Sequence, residues 1–294
     1  MHSNPPRQSW LILGCGYVGS RLLAALADSS ARIVATARSE AQALRLTALG
    51  VEAHLCDDPT QLPATLLAEC DSLLDSIPLQ AGERAGQCDW LPLLAPRMSR
   101  LGWAAYLSAT SVYGDAGGDW VDETHPCRPS SRRGSERLRA EAAWLHSGLP
   151  AEIFRLAGIY GPGRNILGRL RAGNYPVIDW QPPHFSSRIH VDDIVAALLA
   201  ARCNPRPGRM VNLADDLPLP HADYAAELAT AIGAPPPMRL TPAEAEQRLS
   251  PAMLDFFRDN KRIDNRRLHA ELLPQLRYAS FRTALPDLLA AEQC

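Results

Sequence analysis

Three glycines carry the first chemical signal in this sequence. Gly14, Gly16 and Gly19 stand in the run Gly14-Cys15-Gly16-Tyr17-Val18-Gly19, directly after the apolar stretch Trp10-Leu11-Ile12-Leu13. The segment that follows carries Val18, Leu22, Leu23 and Leu26 at helical spacing. A G-x-G-x-x-G run between strand and helix suits a pyrophosphate. The first glycine makes the tight turn, the second lets backbone approach the phosphates, and the third lets helix pack on strand. The new helix adds its N-terminal N–H groups, here around Tyr17 and Val18, and the positive end of its dipole. A strand-to-helix turn with no ligand is the plainer reading, and the setting between strand and helix favours a bound dinucleotide over it.

The end of the second apolar run, Arg32 to Ala37, bears on which dinucleotide that is. An acid at this place accepts from the ribose 2′-hydroxyl of NAD(H), whereas an Arg accommodates the 2′-phosphate of NADP(H). The chain has Thr36-Ala37-Arg38-Ser39 and no acid before Glu40. Arg38 offers a planar cationic fork and Ser39 a hydroxyl, both suited to phosphate. NADP(H) is favoured and NAD(H) is the alternative; an Arg38 that is merely solvated is the plain reading.

The elements that must position these residues follow from alternation. Short apolar runs at Trp10–Leu13, Arg32–Ala37, Val51–Leu55, Ser72–Ile77, Trp103–Ser108 and Ala151–Leu156 are separated by helical patterns. Such alternation produces right-handed βαβ crossovers and a parallel sheet covered on both faces. Beyond Tyr160 the breakers Gly161-Pro162-Gly163 and Gln181-Pro182-Pro183 interrupt the pattern. Ile189 to Arg202 returns to helical spacing, Arg209 to Leu213 reads as a strand, and Pro-rich joints separate short helices after Pro218. The expected fold is α/β: a Rossmann-type doubly wound parallel sheet over 8–158 and 188–214. A smaller, discontinuous substrate domain is expected over 159–187 and 215–294.

Composition excludes several function classes. The 294 residues carry a formal net charge of −2, with 46% hydrophobic and 21% charged residues. A nucleic-acid binder needs a basic surface for phosphates, so none is expected here. The 7 cysteines form no C-x-x-C pair and read as reduced thiols of a cytoplasmic protein. Met1 to Ser9 is polar, without the apolar core of a signal peptide, and no run approaches the length of a membrane span. His184 and His190 precede Asp192 and Asp193 without metal-ligand spacing. No metal is expected; His190 and Asp192 are read as fixing the turn into a helix.

Five further segments resemble the extended short-chain dehydrogenase/reductase family of NAD(P)-dependent epimerase/dehydratase type. They are Ser108-Ala109-Thr110-Ser111-Val112-Tyr113-Gly114, Asp122 to Pro126, Arg155 to Gly163, Arg188 to Ile194 and Asn212 to Asp216. The likeness spans nearly the whole chain, although the glycine loop is one residue shorter than the family's usual form. It implies that Asp57, after the third strand, meets adenine, or that Asp57 and Asp58 simply cap their loop. It also implies that Ser76 and Ile77 line the cofactor ribose, and that the chain acts on a small molecule. The helix carrying the family's catalytic pair commonly forms a two-fold interface, so a homodimer is implied.

The family's chemistry uses a Tyr-x-x-x-Lys pair and a Ser or Thr after the fifth strand. In this chain the three matching positions are Arg133, Arg137 and Ala109. A guanidinium stays protonated at any working pH, so Arg133 does not replace a tyrosine as proton donor. Arg137 can still hold ribose hydroxyls or phosphate, as a permanent cation. The resemblance is therefore to an atypical subgroup lacking the motif. Ser108, Thr110, Ser111 and Tyr113 supply other hydroxyls, with Thr110, Ser111 and Tyr113 the catalytic candidates. Each also has a structural reading, Tyr113 as a packed tyrosine and the other two as loop caps. Arg133 and Arg188 are candidates for binding an anionic substrate group, against the plain reading of a solvated basic face. Two functions stay open: an oxidoreductase or epimerase with a non-standard proton donor, and a dinucleotide-binding sensor or structural protein without turnover.

Overall fold

Buried apolar runs separated by amphipathic segments assemble one seven-stranded sheet. In the computed structural model of the chain, residues 8–78 and 86–293 are described. Most of the polar N-terminal stretch, and Cys294, lie outside the described residues. The strands are β1 (Ser9–Leu13), β2 (Arg32–Ala37), β3 (Glu52–Leu55), β4 (Ser72–Asp75), β5 (Trp103–Ala109), β6 (Ala151–Leu156) and β7 (Met210–Leu213). Their order is β3-β2-β1-β4-β5-β6-β7, and the pairings from β3 through β5 are parallel. This is the doubly wound Rossmann order, extended by one strand. The helices that bear on the site are α1 (Tyr17–Leu26), α2 (Glu40–Ala48), α3 (Ala64–Glu69), α4 (Gln87–Leu94), α5 (Arg132–Leu145) and α6 (Val191–Cys203).

The sheet order reverses direction at β1. The chain passes from β1 to β2 on one side and later returns to β4 on the other. Ligands of open α/β sheets bind at the carboxyl ends of the strands beside such a reversal. Here those ends carry the glycine loop after β1 and Ser76-Ile77 after β4. The central strand β1 is buried along all five residues, and α1 buries Val18, Gly19, Leu22, Leu23 and Leu26. A core of Leu11, Leu13, Leu73, Trp90, Tyr106 and Trp144 ties sheet to helices.

The chain divides into two compact units. One comprises 8–78, 86–109, 136–155 and 194–211; the other comprises 110–135, 156–193 and 212–293. Compactness therefore groups 110–135, 156–158, 188–193 and 212–214 with the second unit, whereas the sequence pattern grouped them with the first. The second unit contains short strand pairs, among them Gly158–Tyr160 with Arg188–His190 and Pro176–Ile178 with Met238–Leu240. One of its cores surrounds Tyr160, Tyr175, Tyr224, Leu228 and Phe281. One expected helix start moves. Arg188–His190 is a strand and α6 begins at Val191, where the Asp192 N–H donates to His190 Nδ1 at 3.2 Å.

Candidate functional site

The three glycines answer three different local demands. Gly14 has φ of +72°, and a Cβ there would stand 3.0 Å from the Ile77 Cα. A left-handed backbone pressed against other backbone leaves only glycine. The Gly14 N–H donates to Thr36 Oγ1 at 2.9 Å, and its carbonyl accepts from the Gly16 N–H and the Ser76 hydroxyl. Gly19 lies under α1, where a Cβ would meet Cys15 Sγ at 3.1 Å and Ile12 at 3.3 Å. Gly16 differs from both: nothing stands within 4 Å of the place its Cβ would occupy. Gly16 is also the N-cap of α1 and supplies no side-chain acceptor. The first N–H groups of a helix lack intrahelical partners, so this start presents donors and a positive dipole end to the open side. Tyr17 is half-buried and Val18 buried as the first two residues of α1.

The neighbouring strand ends contribute surface groups. Arg38 and Ser39 are exposed beyond β2, and Ser39 caps α2 by accepting from the Gln42 N–H at 3.3 Å. Gln42 in turn donates to the Cys15 carbonyl at 2.8 Å, tying α2 to the glycine loop. Beyond β3, Asp58 caps a short turn through the Thr60 N–H at 2.9 Å, while Asp57 is exposed. Asp58 therefore caps its loop.

One hydroxyl, one guanidinium and one acid beside β5 are held by protein groups. Ser108 is buried and donates to Glu141 at 2.6 Å, and Glu141 also accepts from Arg155 at 2.8 Å. Ser108 is therefore not an available hydroxyl. Arg137, half-buried, donates to the Leu107 carbonyl at 2.7 Å and lies 3.5 Å from the Tyr106 hydroxyl. Sequence reasoning missed Asp75, which is fully buried at the end of β4. Burial pushes its pKa up to about 6, against hydrogen bonds that pull it down. The legible signal was a carboxylate closing an otherwise apolar run, Ser72-Leu73-Leu74-Asp75.

In the second unit, Thr110 and Ser111 are half-buried in a single 3₁₀ turn, Thr110–Val112. Gly134 in the first turn of α5 lies so close that a Cβ would be 2.6 Å from the Ser111 carbonyl oxygen. Tyr113 is 1% exposed, and its hydroxyl donates to Asn212 Oδ1 at 2.7 Å. That is a structural tyrosine, so its use as an acid loses its physical basis. Arg133 is exposed. Arg188 corrects the sequence reading outright. It is buried, stacks 3.5 Å over the Tyr224 ring and donates to Ser186 Oγ at 2.8 Å, so it belongs to the core rather than to a substrate anion.

Behind Arg188, Asp215 is buried, which pushes its pKa up to about 8. The buried Tyr160 hydroxyl finds no hydrogen-bond partner among the described residues. Asp193 accepts from the Arg277 and Tyr278 N–H groups at 2.7 and 3.1 Å, a joint role rather than a ligand's. Among the described residues no group of three or more His, Cys, Asp or Glu is placed to hold a metal ion. None of the described helices is long and apolar enough to cross a membrane. A cavity of about 250 Å³ in this unit is lined by Ile178, Trp180, His184, His221, Arg239 and Phe257, among others.

No family model matches the chain. Among curated proteins it is 29% identical over 245 residues to protein YeeZ of Escherichia coli K12, covering 77% of this chain and 84% of YeeZ. It is 29% identical over 233 residues to a 3-diazoavenalumate denitrifying reductase of Streptomyces sp, covering 76% of this chain and 69% of the reductase. Among solved structures, a functionally unknown conserved protein from Silicibacter pomeroyi DSS superimposes with a TM-score of 0.87. The two are 37% identical, with 96% of this chain and 98% of that one covered. DesIV, a dTDP-glucose 4,6-dehydratase from Streptomyces venezuelae solved with NAD and TYD, superimposes with a TM-score of 0.74 at 17% identity, covering 97% of each chain. With its sheet order and its glycine loop after β1, the chain has a Rossmann-type fold, and that fold is shared by DesIV and by the functionally unknown Silicibacter pomeroyi protein.

Proposed function

We propose that this chain is a nicotinamide-dinucleotide-dependent oxidoreductase, preferring NADP(H) to NAD(H), that acts on a small molecule without the usual tyrosine acid. The observation that carries the reading is the contrast within the glycine loop. Gly14 and Gly19 are glycines because protein crowds them, whereas Gly16 faces open space at a helix start that lacks a side-chain cap. Ligand approach is the remaining demand for glycine there. The NAD bound in DesIV and the reductase activity named for the Streptomyces relative support the same reading.

When bound, the dinucleotide supplies a hydride donor or acceptor. The chain's own residues would do the rest. Gly14, Gly16 and Gly19, with the N–H groups of Tyr17 and Val18, would hold the pyrophosphate. Arg38 and Ser39 would receive the 2′-phosphate, and Asp57 the adenine amino group. Ser76 and Ile77 would flank the ribose. Arg137, fixed by the Leu107 carbonyl, has further N–H groups to offer ribose hydroxyls. Thr110 and Ser111 would orient the substrate by hydrogen bonds, and Arg133 would meet an anionic group on it. A two-fold homodimer through α4 and α5 completes the proposal.

A second reading is favoured by one set of residues. By the resemblance, Ala109, Arg133 and Arg137 would stand at the family's three catalytic positions; Ser108 is held by Glu141, and Tyr113 is in the core. On that reading the chain binds the dinucleotide as a redox sensor or structural partner. Fluorescence titration with NADPH and NADH tests binding, with saturable binding and a tighter NADPH expected. A chain that binds neither would end both readings. Single-turnover oxidation of bound NADPH across carbonyl and nucleotide-sugar substrates separates the two. Hydride transfer to any of them favours the oxidoreductase, and tight binding with no transfer favours the sensor.

A further inference from the structure

Asp75 closes β4 with its carboxylate enclosed by protein. Three N–H donors converge on it. The Ile77 backbone N–H meets Oδ1 at 3.0 Å, and the Gln87 amide of α4 and the Trp144 indole of α5 both meet Oδ2 at 3.1 Å. Through Ile77 the carboxylate fixes the turn that leaves β4. That turn braces the glycine loop, because the Ser76 hydroxyl donates to the Gly14 carbonyl and Ile77 packs where Gly14 has no side chain.

We propose that Asp75 is a positioning residue for the dinucleotide loop, whose ionised carboxylate holds the turn behind Gly14 and whose protonation loosens it. The inference rests on the dinucleotide reading of the loop. An ionised carboxylate accepts at both oxygens, whereas a protonated one must donate from one of them. Protonated at Oδ2, the O–H would face two N–H donors. Gln87 can rotate its amide to present oxygen, but the Trp144 indole is a donor only. The carboxyl must then shift, and the Ile77 contact shifts with it.

The groups acting on Asp75 are Gln87 from α4, Trp144 and Arg137 from α5, and Tyr106, its register partner on β5. Only Arg137 among them is cationic, and burial outweighs it. Protonation therefore falls near pH 6 rather than near the ordinary value of about 4. The two consequences have opposite signs. A carboxyl with a raised folded pKa adds stability that is fully present below its unfolded pKa and is lost as pH rises through its folded pKa. Acidification from about pH 6 toward 4 thus strengthens this contribution to folding while it weakens dinucleotide binding. A carboxylate serving only stability would not separate the two.

The test is a set of NADPH and NADH titrations from pH 5 to 8 on the whole chain. NADH serves as control because a 2′-phosphate itself titrates in this range. The Trp144 indole ¹H–¹⁵N resonance is followed in parallel and identified by its loss in Trp144→Phe. Affinity for both dinucleotides should fall by up to about tenfold per pH unit below about pH 6, as the competent fraction falls. The Trp144 resonance should titrate with the same midpoint. Asp75→Asn should bind about tenfold more weakly at pH 8 and show no pH dependence with NADH. Gln87→Met removes a donor that favours the ionised form, so both midpoints should move to higher pH. If Asp75→Asn does not fold, the Gln87→Met midpoint decides. A wild-type NADH affinity that is flat over this range, or an unmoved Gln87→Met midpoint, overturns the proposal and leaves the dinucleotide reading standing. Absence of any dinucleotide binding overturns both.

Discussion

Arg38 stands exposed just beyond β2, with Ser39 beside it capping α2. A guanidinium there has a phosphate-sized role only if the ligand carries a 2′-phosphate. Arg38→Asp removes that fork and puts a carboxylate in its place. Hydrogen bonds to charged groups contribute roughly 1.5–3 kcal/mol, so NADPH affinity should fall by about ten- to a hundredfold. NADH affinity should hold or rise, and equal losses in paired titrations would remove Arg38 from cofactor choice. At this scale the sequence was readable where a residue's task is local. Glycine at Gly14 follows from a turn, and a cationic fork at the end of β2 follows from position. It was not readable where the task depends on distant partners. The Trp144 and Gln87 donors to Asp75 lie 69 and 12 residues away, and no spacing rule joins them. Arg188 was misread for the same reason. Its stacking partner Tyr224 lies far along the chain, so a buried cation looked like a free one.

At the scale of elements, the β1-loop-α1 unit separates folding from binding. Gly14→Ala forces a side chain into a left-handed backbone, at about 1–2 kcal/mol, and against the Ile77 backbone. It should lower both the melting temperature and dinucleotide affinity. Gly16→Ala meets open space, so it should leave the melting temperature within about 1 °C while weakening NADPH binding at least tenfold. Equal binding by Gly16→Ala and the wild type would remove the pyrophosphate from this loop. A second junction, between α5 and the sheet, depends on charge. Glu141 and Arg155 are both under 5% exposed, and the Ser108 hydroxyl is their third member. Glu141→Gln leaves a buried guanidinium without its counter-charge, which costs about 3–5 kcal/mol in comparable cases. Chemical denaturation should show that loss. A loss under about 1 kcal/mol would mean that water or another acid satisfies Arg155.

Across the whole molecule, alternation of strand and helix made the doubly wound parallel sheet legible, because right-handed crossovers leave few ways to wind it. The division into units was less so. Residues 110–135 follow a sheet strand in sequence yet are grouped with the second unit, a matter of tertiary contact that local pattern does not record. The proposed homodimer would pair α4 and α5 across a two-fold axis. Leu93 on α4 is 64% exposed and Leu145 on α5 is 38% exposed. An apolar depression of about 490 Å³ in the first unit is lined by Leu91, Pro92, Ala95, Ala143 and Leu149, among others. A two-fold axis through such a face would bury each leucine twice, and a fully buried leucine contributes about 1.5–3 kcal/mol. Introducing Leu93→Glu and Leu145→Glu together should therefore weaken a dimer by several orders of magnitude. Sedimentation at micromolar protein should give twice the chain mass for the wild type and the chain mass for the double variant. Neither substitution touches the glycine loop, so NADPH affinity should stay within about threefold in the separated chains. A wild type at chain mass would sink the homodimer, and a double variant still at twice the chain mass would move the interface to another face.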